Sequence, residues 1–444
     1  MKKWKLSIIS ILAIIALTVN SCENENENGT QDGDGTIIYP SYEGLVMAGY
    51  QGWFNTPGDG ASGRNWNHYD LNRDPPSIDF WPDITEYTVK YEVPVNLYKM
   101  ADGSKAYVYS PYDESSVDLH FKWMKDYGID GVFMQRFVRE IDNTSGRNHF
   151  NKVLDNALKA AKKYGRAIGI MYDLSGCTQQ TGNNVAYILT DWQQLITQFK
   201  LNDPARNPTY VHQNGKPILA IWGIGFNDGR QYTTADVQDT VTRLKNNHNV
   251  SIMLGVPYWW RRNDRDCEGT EAFYNLVRNC DIIMPWAVGR YDNDAYGTGE
   301  HLTKLTEEIQ WCNENDILYV PLVFPGFSWA NMQKRDGNVG NYHEIPRDQG
   351  NFLWKQIAGA KAVEAKTLYV AMFDEIDEGT AIFKCAVEGT GSNANNLPVF
   401  ISGGGKRFVG IEEGLQSDYY LWLVGQAANW FHGNEDYNTT KPAR

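Results

Sequence analysis

The chain has 444 residues, among them 15 Trp, 26 Tyr and 17 Phe, and carries a formal charge of −13. That balance excludes a protein that grips nucleic acid along its phosphates, which takes basic surface. Cys177, Cys267, Cys280, Cys312 and Cys385 show neither CxxC pairs nor Cys/His metal spacing, which argues against a disulfide framework and a zinc site; Cys280 and Cys312, beside apolar runs, read as core thiols.

The chain opens with an address. Lys2, Lys3 and Lys5 precede an apolar run over 6–19 and then Asn20-Ser21-Cys22. A basic start, a short apolar stretch and a small residue before the cut describe a secretory signal over 1–21. The run is shorter than the ~20 residues a spanning helix needs. Ser21-Cys22 resembles a bacterial lipobox, which implies lipidation of Cys22 and a membrane-held protein. Glu23, Glu25 and Glu27 directly after it resemble the surface-export signal of outer-membrane lipoproteins, so a cell-surface location is expected. The stretch 22–37, acidic and then Gly/Asp-rich, cannot bury apolar surface and is expected to be a disordered tether.

From residue 38 to 444 one domain is expected. Short apolar runs recur at 44–50, 129–136, 167–173, 217–222, 251–256, 281–286, 318–324 and 368–373. Continuous apolar runs of this length mean strands buried on both faces, as in a parallel sheet with helical crossovers. The segments 117–127, 150–161, 188–199, 234–244, 302–312 and 352–363 fit helices, the second ending at Tyr164-Gly165. Eight strands alternating with helices predict an α/β fold, a (β/α)8 TIM barrel. An open doubly wound sheet is the alternative, but no Gly-rich phosphate turn follows the first strand.

The connection after the first strand is far longer than an ordinary loop. Within it, 88–98 and 105–109 flank Asp102-Gly103, a β-hairpin signal. A βα loop of that size stands on the C-terminal face of a barrel and can wall a cleft.

Barrel chemistry sits where strands end at that face. The edges read Tyr50-Gln51-Gly52-Trp53, Gln135-Arg136-Phe137, Tyr172-Asp173, Trp222, Tyr258, Trp286 with Arg290, Phe327, and Asp374-Glu375-Ile376-Asp377-Glu378. Aromatic rings and hydrogen-bonding groups around carboxylates suit a neutral polyhydroxylated ligand, although most aromatics in a chain this size must fill its core. No Ser-His-Asp set or metal cluster stands among these residues, and no cofactor is expected. Carboxylates crowded at a buried strand end repel one another unless some are protonated or paired, and two carboxyls of unequal pKa are what a glycosidase needs. An acidic helix N-terminus would be the bland explanation.

Glu375-x-x-Glu378-Gly379-Thr380 resembles the NEWxEGT-type motif of glycoside hydrolase family 99, the endo-α-mannosidases and endo-mannanases; the order of elements is also similar to the related family 71. Tyr50-Gln51-Gly52-Trp53 resembles the family's first-strand turn, Trp66-Asn67-His68 its Trp/His loop, and Pro325-Gly326-Phe327 its turn after the seventh strand. Asn207-Pro208-Thr209-Tyr210 with Asn214-Gly215-Lys216-Pro217 resembles its lead into the fourth strand. Asp374 and Ile376 depart from the family's Asn and Trp, Asp173 stands where it tends to carry Glu, and Gln135-Arg136 where it tends to carry Trp.

The resemblance implies a retaining mechanism through a 1,2-anhydro sugar, with Glu375 as base on the 2-OH and Glu378 as acid/base. The strand edges together with the resemblance place Tyr50, Trp53, Trp66, His68, Gln135, Arg136, Tyr172, Asp173, Trp222, Tyr258, Trp286, Arg290, Phe327 and Asp374 at the substrate. Three positions apart on an extended strand, Glu375 and Glu378 would point to opposite faces. The chain must therefore turn after Glu375, with Gly379 supplying the freedom.

The leading expectation is a monomeric, surface-anchored, endo-acting α-glycosidase on α-mannan, N-glycan or α-glucan. The alternatives are a xylosidase or arabinosidase acting on hemicellulose side chains, and a non-catalytic glycan-binding lipoprotein.

Overall fold

In the strand runs, alternate side chains fill two different cores. Met47, Phe133, Met171, Ala220, Met253, Met284 and Tyr369 pack inside a ring of strands. Their sequence neighbours Ala48, Val132, Ile170, Leu219, Leu254, Ile283 and Val370 pack outside it, against helices. This two-sided burial is why the runs are apolar throughout.

The computed structural model describes residues 34–179, 184–262, 264–297, 299–389, 396–403 and 405–444. The expected secretory segment, Cys22 and most of the tether lie outside these residues. Among the described residues the barrel strands are β1 (Val46–Tyr50), β2 (Gly131–Phe137), β3 (Ala167–Asp173), β4 (Lys216–Trp222), β5 (Ser251–Pro257), β6 (Ile282–Trp286), β7 in two segments (Leu318–Tyr319 and Leu322–Val323) and β8 (Leu368–Val370). Each is parallel to the next, and β8 returns to β1 with Val46 opposite Leu368. The first segment of β7 pairs with β6 and the second with β8. Pro321, with no N–H for the ladder, marks the break between them. The backbone still bridges it, since Val320 donates to Ile283 at 2.9 Å and Tyr369 donates to Pro321 at 3.0 Å. The ring closes, as the (β/α)8 expectation requires and the open sheet does not.

Eight helices follow the strands in turn among the described residues: α1 (Glu114–Tyr127), α2 (Thr144–Tyr164), α3 (Tyr187–Phe199), α4 (Thr234–His248), α5 (Glu271–Arg278), α6 (Glu300–Glu314), α7 (Asn351–Ala362) and α8 (Tyr419–Phe431). Helix α2 starts where Asn143 accepts from the Gly146 N–H and stops where Gly165 turns left-handed. The sequence pattern misses α5, which is only eight residues long, and α8, which is buried nearly all round and shows no stripe.

The long connection between β1 and α1 makes the expected turn at Asp102-Gly103, but the hairpin is reduced. Only Tyr91–Glu92 and Tyr107–Val108 pair with each other, while Tyr98–Met100 pairs with Pro398–Phe400 from the segment after β8. The two longest loops are thus stitched together across the barrel mouth. At the opposite pole Ile38 donates to Pro208 at 2.8 Å and the Tyr42 hydroxyl to Leu368 at 3.0 Å, strapping the start of the domain under the barrel floor. Cys177, Cys267, Cys280, Cys312 and Cys385 are all buried and free, in keeping with core thiols.

Candidate active site

Strand β8 stops at Val370, but Phe373 still donates to Gly49 of β1 at 2.7 Å, so the chain leaves the barrel tied to its neighbour. Asp374 comes next, fully buried, and accepts from the backbone N–H groups of Gln51 (2.7 Å) and Gly52 (2.9 Å). The chain then folds back: Thr380 and Ala381 both donate to the Glu375 carbonyl, at 3.1 and 3.0 Å. Gly379 takes φ +63°, and a Cβ there would lie 2.7 Å from that of Ser328. This is the turn the spacing of the two glutamates demands. It brings Glu375 and Glu378 onto the wall of one cavity of about 210 Å³, with Gln51, Trp53, Gln135, Phe137, Met171, Asp173, Ser175, Trp222, Trp286 and Met372. A larger, mostly apolar cavity of about 530 Å³ beside Trp81 and Val387 lies away from these strand ends.

The two glutamates are held differently. Glu375 accepts from the Gln51 side-chain amide at 2.6 Å and from the Thr380 hydroxyl at 2.7 Å. Burial, then the charges of Glu378 and Asp377, push it well above the usual carboxylate range, against the pull of those two donors. Glu378 has no hydrogen-bonded side-chain partner among the described residues. Burial, then Asp377 and Asp173, push it up to about 7, and the His68 charge draws it part of the way back. Asp173 takes the Ser175 N–H at 2.6 Å and is raised by burial to about 6.

Beside the pair stands a compensated cluster. His68 lies flat against Trp53, ring centroids 3.7 Å apart, with Nδ1 at 3.2 Å from Asp377 and Nε2 at 3.5 Å from Glu140. Burial alone would lower its pKa; the hydrogen bonds and charges of Asp377 and Glu140 outweigh it and lift it to about 9. Glu140 also receives Arg64 at 2.7 Å; burial would raise it, but His68 and Arg64 hold it down at about 2. The ring that backs Trp53 therefore carries a positive charge at neutral pH.

Several residues expected at the substrate do not reach the cavity. Strand alternation explains most of them. Gln135 points in and Arg136 out, where it pairs with Asp191 at 2.6 Å; Asp173 reaches the cavity while the Tyr172 hydroxyl turns outward onto the same Asp191 at 2.7 Å. Tyr50 faces outward too and hydrogen bonds with His120 at 2.8 Å. Tyr258 is buried on His301 at 2.8 Å, and Arg290 is spent on Asp266 at 2.7 Å. Trp66 packs edge-on against Tyr69, Phe327 lies beside Trp329, and Asp374 is used on the β1 turn rather than on a ligand.

Trp53, Gln135, Asp173, Trp222, Trp286, Glu375 and Glu378 are brought together as expected, with His68 behind Trp53. Sequence reasoning missed Met171, Ser175, Met372 and Glu140 as site residues, and did not single out Gln51, Phe137 and Asp377 within their edges. Phe137 and Met171 follow from the inward period of β2 and β3 once Gln135 is fixed. Nothing in the sequence marks Glu140, which reaches His68 from the short helix Val138–Ile141.

No family model matches the chain. It is 20% identical over 359 residues to glycoprotein endo-alpha-1,2-mannosidase of Xenopus laevis, covering 77% of this chain and 70% of that one. Its fold matches the GH99 endo-alpha-mannosidase of Bacteroides thetaiotaomicron at TM-score 0.60 and 14% identity, over 88% of this chain and 99% of that one. The same enzyme with bis-tris propane matches at TM-score 0.57 and 14% identity, over 89% and 99%. The chain is a (β/α)8 barrel whose fold is similar to that of GH99 endo-alpha-mannosidases.

Proposed function

We propose that the protein is a retaining glycosidase, endo-acting on α-linked mannose- or glucose-containing glycans, with Glu375 and Glu378 as its catalytic pair. One observation carries this: the two glutamates of the family-like motif share one aromatic-walled cavity, one held by two donors and the other free to meet a ligand.

Ionised Glu375 takes the proton of the sugar 2-OH as O2 attacks C1. The glycosidic C1–O bond breaks while Glu378 gives its proton to the leaving oxygen, which leaves a 1,2-anhydro sugar. Glu378 then takes a proton from water as that water attacks C1, and Glu375 returns its proton to O2. The pair needs one proton between them. Asp377 disfavours the charge on both, and only Glu375 has donors, Gln51 and Thr380, that favour it there. Trp53, Trp222 and Trp286 offer ring faces to the sugars.

A product screen over α-mannans, α-glucans and N-glycans tests the reading; release of internal fragments with retained anomeric configuration is expected, and no cleavage of any of them would contradict it. A second reading rests on Asp173, whose carboxylate lines the same cavity: direct displacement by Asp173, as on hemicellulose side chains, would be trapped by a 2-fluoro sugar as a covalent adduct on that residue.

The lipobox-like Ser21-Cys22 supports anchoring at the outer membrane, facing outward. Cys22→Ser is expected to release the protein from the membrane fraction; retention there would contradict the anchor.

A further inference from the structure

Directly behind the catalytic turn lies a buried arginine without a carboxylate. Arg347 is 2% exposed, and among the described residues it makes no ion pair. Its guanidinium lies 4.4 Å from the ring centroid of Phe80 and 4.5 Å from that of Tyr420. Nη2 donates to the carbonyls of Gly379 at 3.0 Å and Ala381 at 2.7 Å, while Nε and Nη1 are buried with no hydrogen-bond partner among the described residues. A cation placed this way is costly. Arg136 and Lys304, equally buried, each sit on a carboxylate, at 2.6 and 2.7 Å.

The two carbonyls flank Thr380, the residue whose hydroxyl holds Glu375, and Gly379 directly follows Glu378. The other side of the turn is pressed on the same loop: Ser328 donates to the Glu378 carbonyl at 2.9 Å. Arg347 is itself hemmed in, since a Cβ on Gly326 would come within 2.7 Å of its Cγ. The aromatic faces take the charge, and the one satisfied nitrogen is spent on the backbone that carries both glutamates.

We propose that Arg347 is a positioning residue for both catalytic glutamates. It acts through the backbone of 379–381, fixing the Thr380 hydroxyl on Glu375 and the direction in which Glu378 leaves the turn, and it does not touch substrate. This rests on the roles given to Glu375 and Glu378 above.

Arg347→Met removes charge and donor at similar bulk; Arg347→Lys keeps the charge and one nitrogen. Misplacing reacting groups by an ångström costs about 100-fold, so kcat is expected to fall about that far in the Met variant and roughly tenfold in the Lys variant, with KM little changed in either. Amide hydrogen exchange at Thr380 and Ala381 should speed up at least tenfold in the Met variant.

Lys304→Met, which strips a buried cation in the barrel wall, is the stability control, and its kcat should stay at the wild-type level. An equal fall in kcat for Lys304→Met at matched loss of stability would overturn the proposal, as would wild-type kcat in Arg347→Met. Should the Met variant not fold, the Lys variant decides: wild-type kcat and exchange there would overturn the proposal. Exchange separates this inference from the glycosidase reading. Faster exchange in a chain inactive on every glycan would sink the glycosidase reading and leave the hold on the turn; unchanged exchange would sink the hold whatever the activity.

Discussion

The barrel wall and the barrel mouth both bury charge, and they treat it in opposite ways. In the wall, Arg136 meets Asp191 with two nitrogens, at 2.6 and 2.8 Å, and Tyr172 adds a third donor. Lys304 meets Glu308 at 2.7 Å. In the mouth, Glu375, Glu378 and Asp173 line one cavity with no cation among its lining residues, and burial raises all three. Charge in the wall is compensated on the spot; carboxylates left uncompensated beside an opening mark a candidate ligand site.

The largest expected effect comes from crossing that divide in the mouth. Glu378→Gln should cost ~10²–10⁴ in rate on natural glycans, the usual loss for a missing general acid, and much less on aryl or fluoride glycosides, whose leaving groups need little protonation. Glu375→Gln should suppress both kinds of substrate, because attack at C1 depends on it in either case. Steady-state kinetics on matched substrates reads the difference.

Next in size is the wall. Asp191→Asn leaves Arg136 buried without its counter-charge and should destabilise the fold by about 3–5 kcal/mol, measured by chemical denaturation. Glu378→Gln should do the opposite. The fold raises this group to about 7, so it penalises the ionised form. The penalty is absent below the unfolded pKa of about 4.3, grows as pH rises, and is complete above the folded value. The variant should therefore be more stable than wild type by on the order of 2 kcal/mol at pH 8, the part-exposed carboxyl keeping some solvent, and equal to it at pH 4.

A smaller effect belongs to His68. Its charge lowers Glu378, so His68→Asn should move the alkaline limb of the rate profile to higher pH, by up to about one unit. The smallest belongs to Arg290, expected from sequence at the substrate but paired with Asp266 on the surface. Arg290→Ala should change stability by less than about 0.5 kcal/mol and leave KM unaltered.

The barrel was legible because strands buried on both faces and helices buried on one leave different periods in a sequence. The turn between the two glutamates was legible too, since two carboxylates three apart can share a face only if the chain reverses, and Gly379 stood ready to allow it. Reading strand ends as whole dipeptides is what failed. Adjacent residues on a strand face opposite ways, so each edge could give the cavity one of its pair, and Gln135 and Asp173 went in while Arg136 and Tyr172 went out. The polar look of Arg136 and Tyr172 came from Asp191 on α3, a partner that only the closed fold brings near. Arg347 was invisible for a related reason: its partners are backbone carbonyls and ring faces, which leave no mark at a fixed spacing.

O2 of the sugar is the proposed nucleophile, and a substrate without that oxygen tests its role most directly. A 2-deoxy analogue of whichever glycoside the wild-type enzyme cleaves is expected to bind in the cavity and not turn over. Rapid hydrolysis of that analogue with retained configuration would contradict the role of Glu375 and pass the attack on C1 to Asp173.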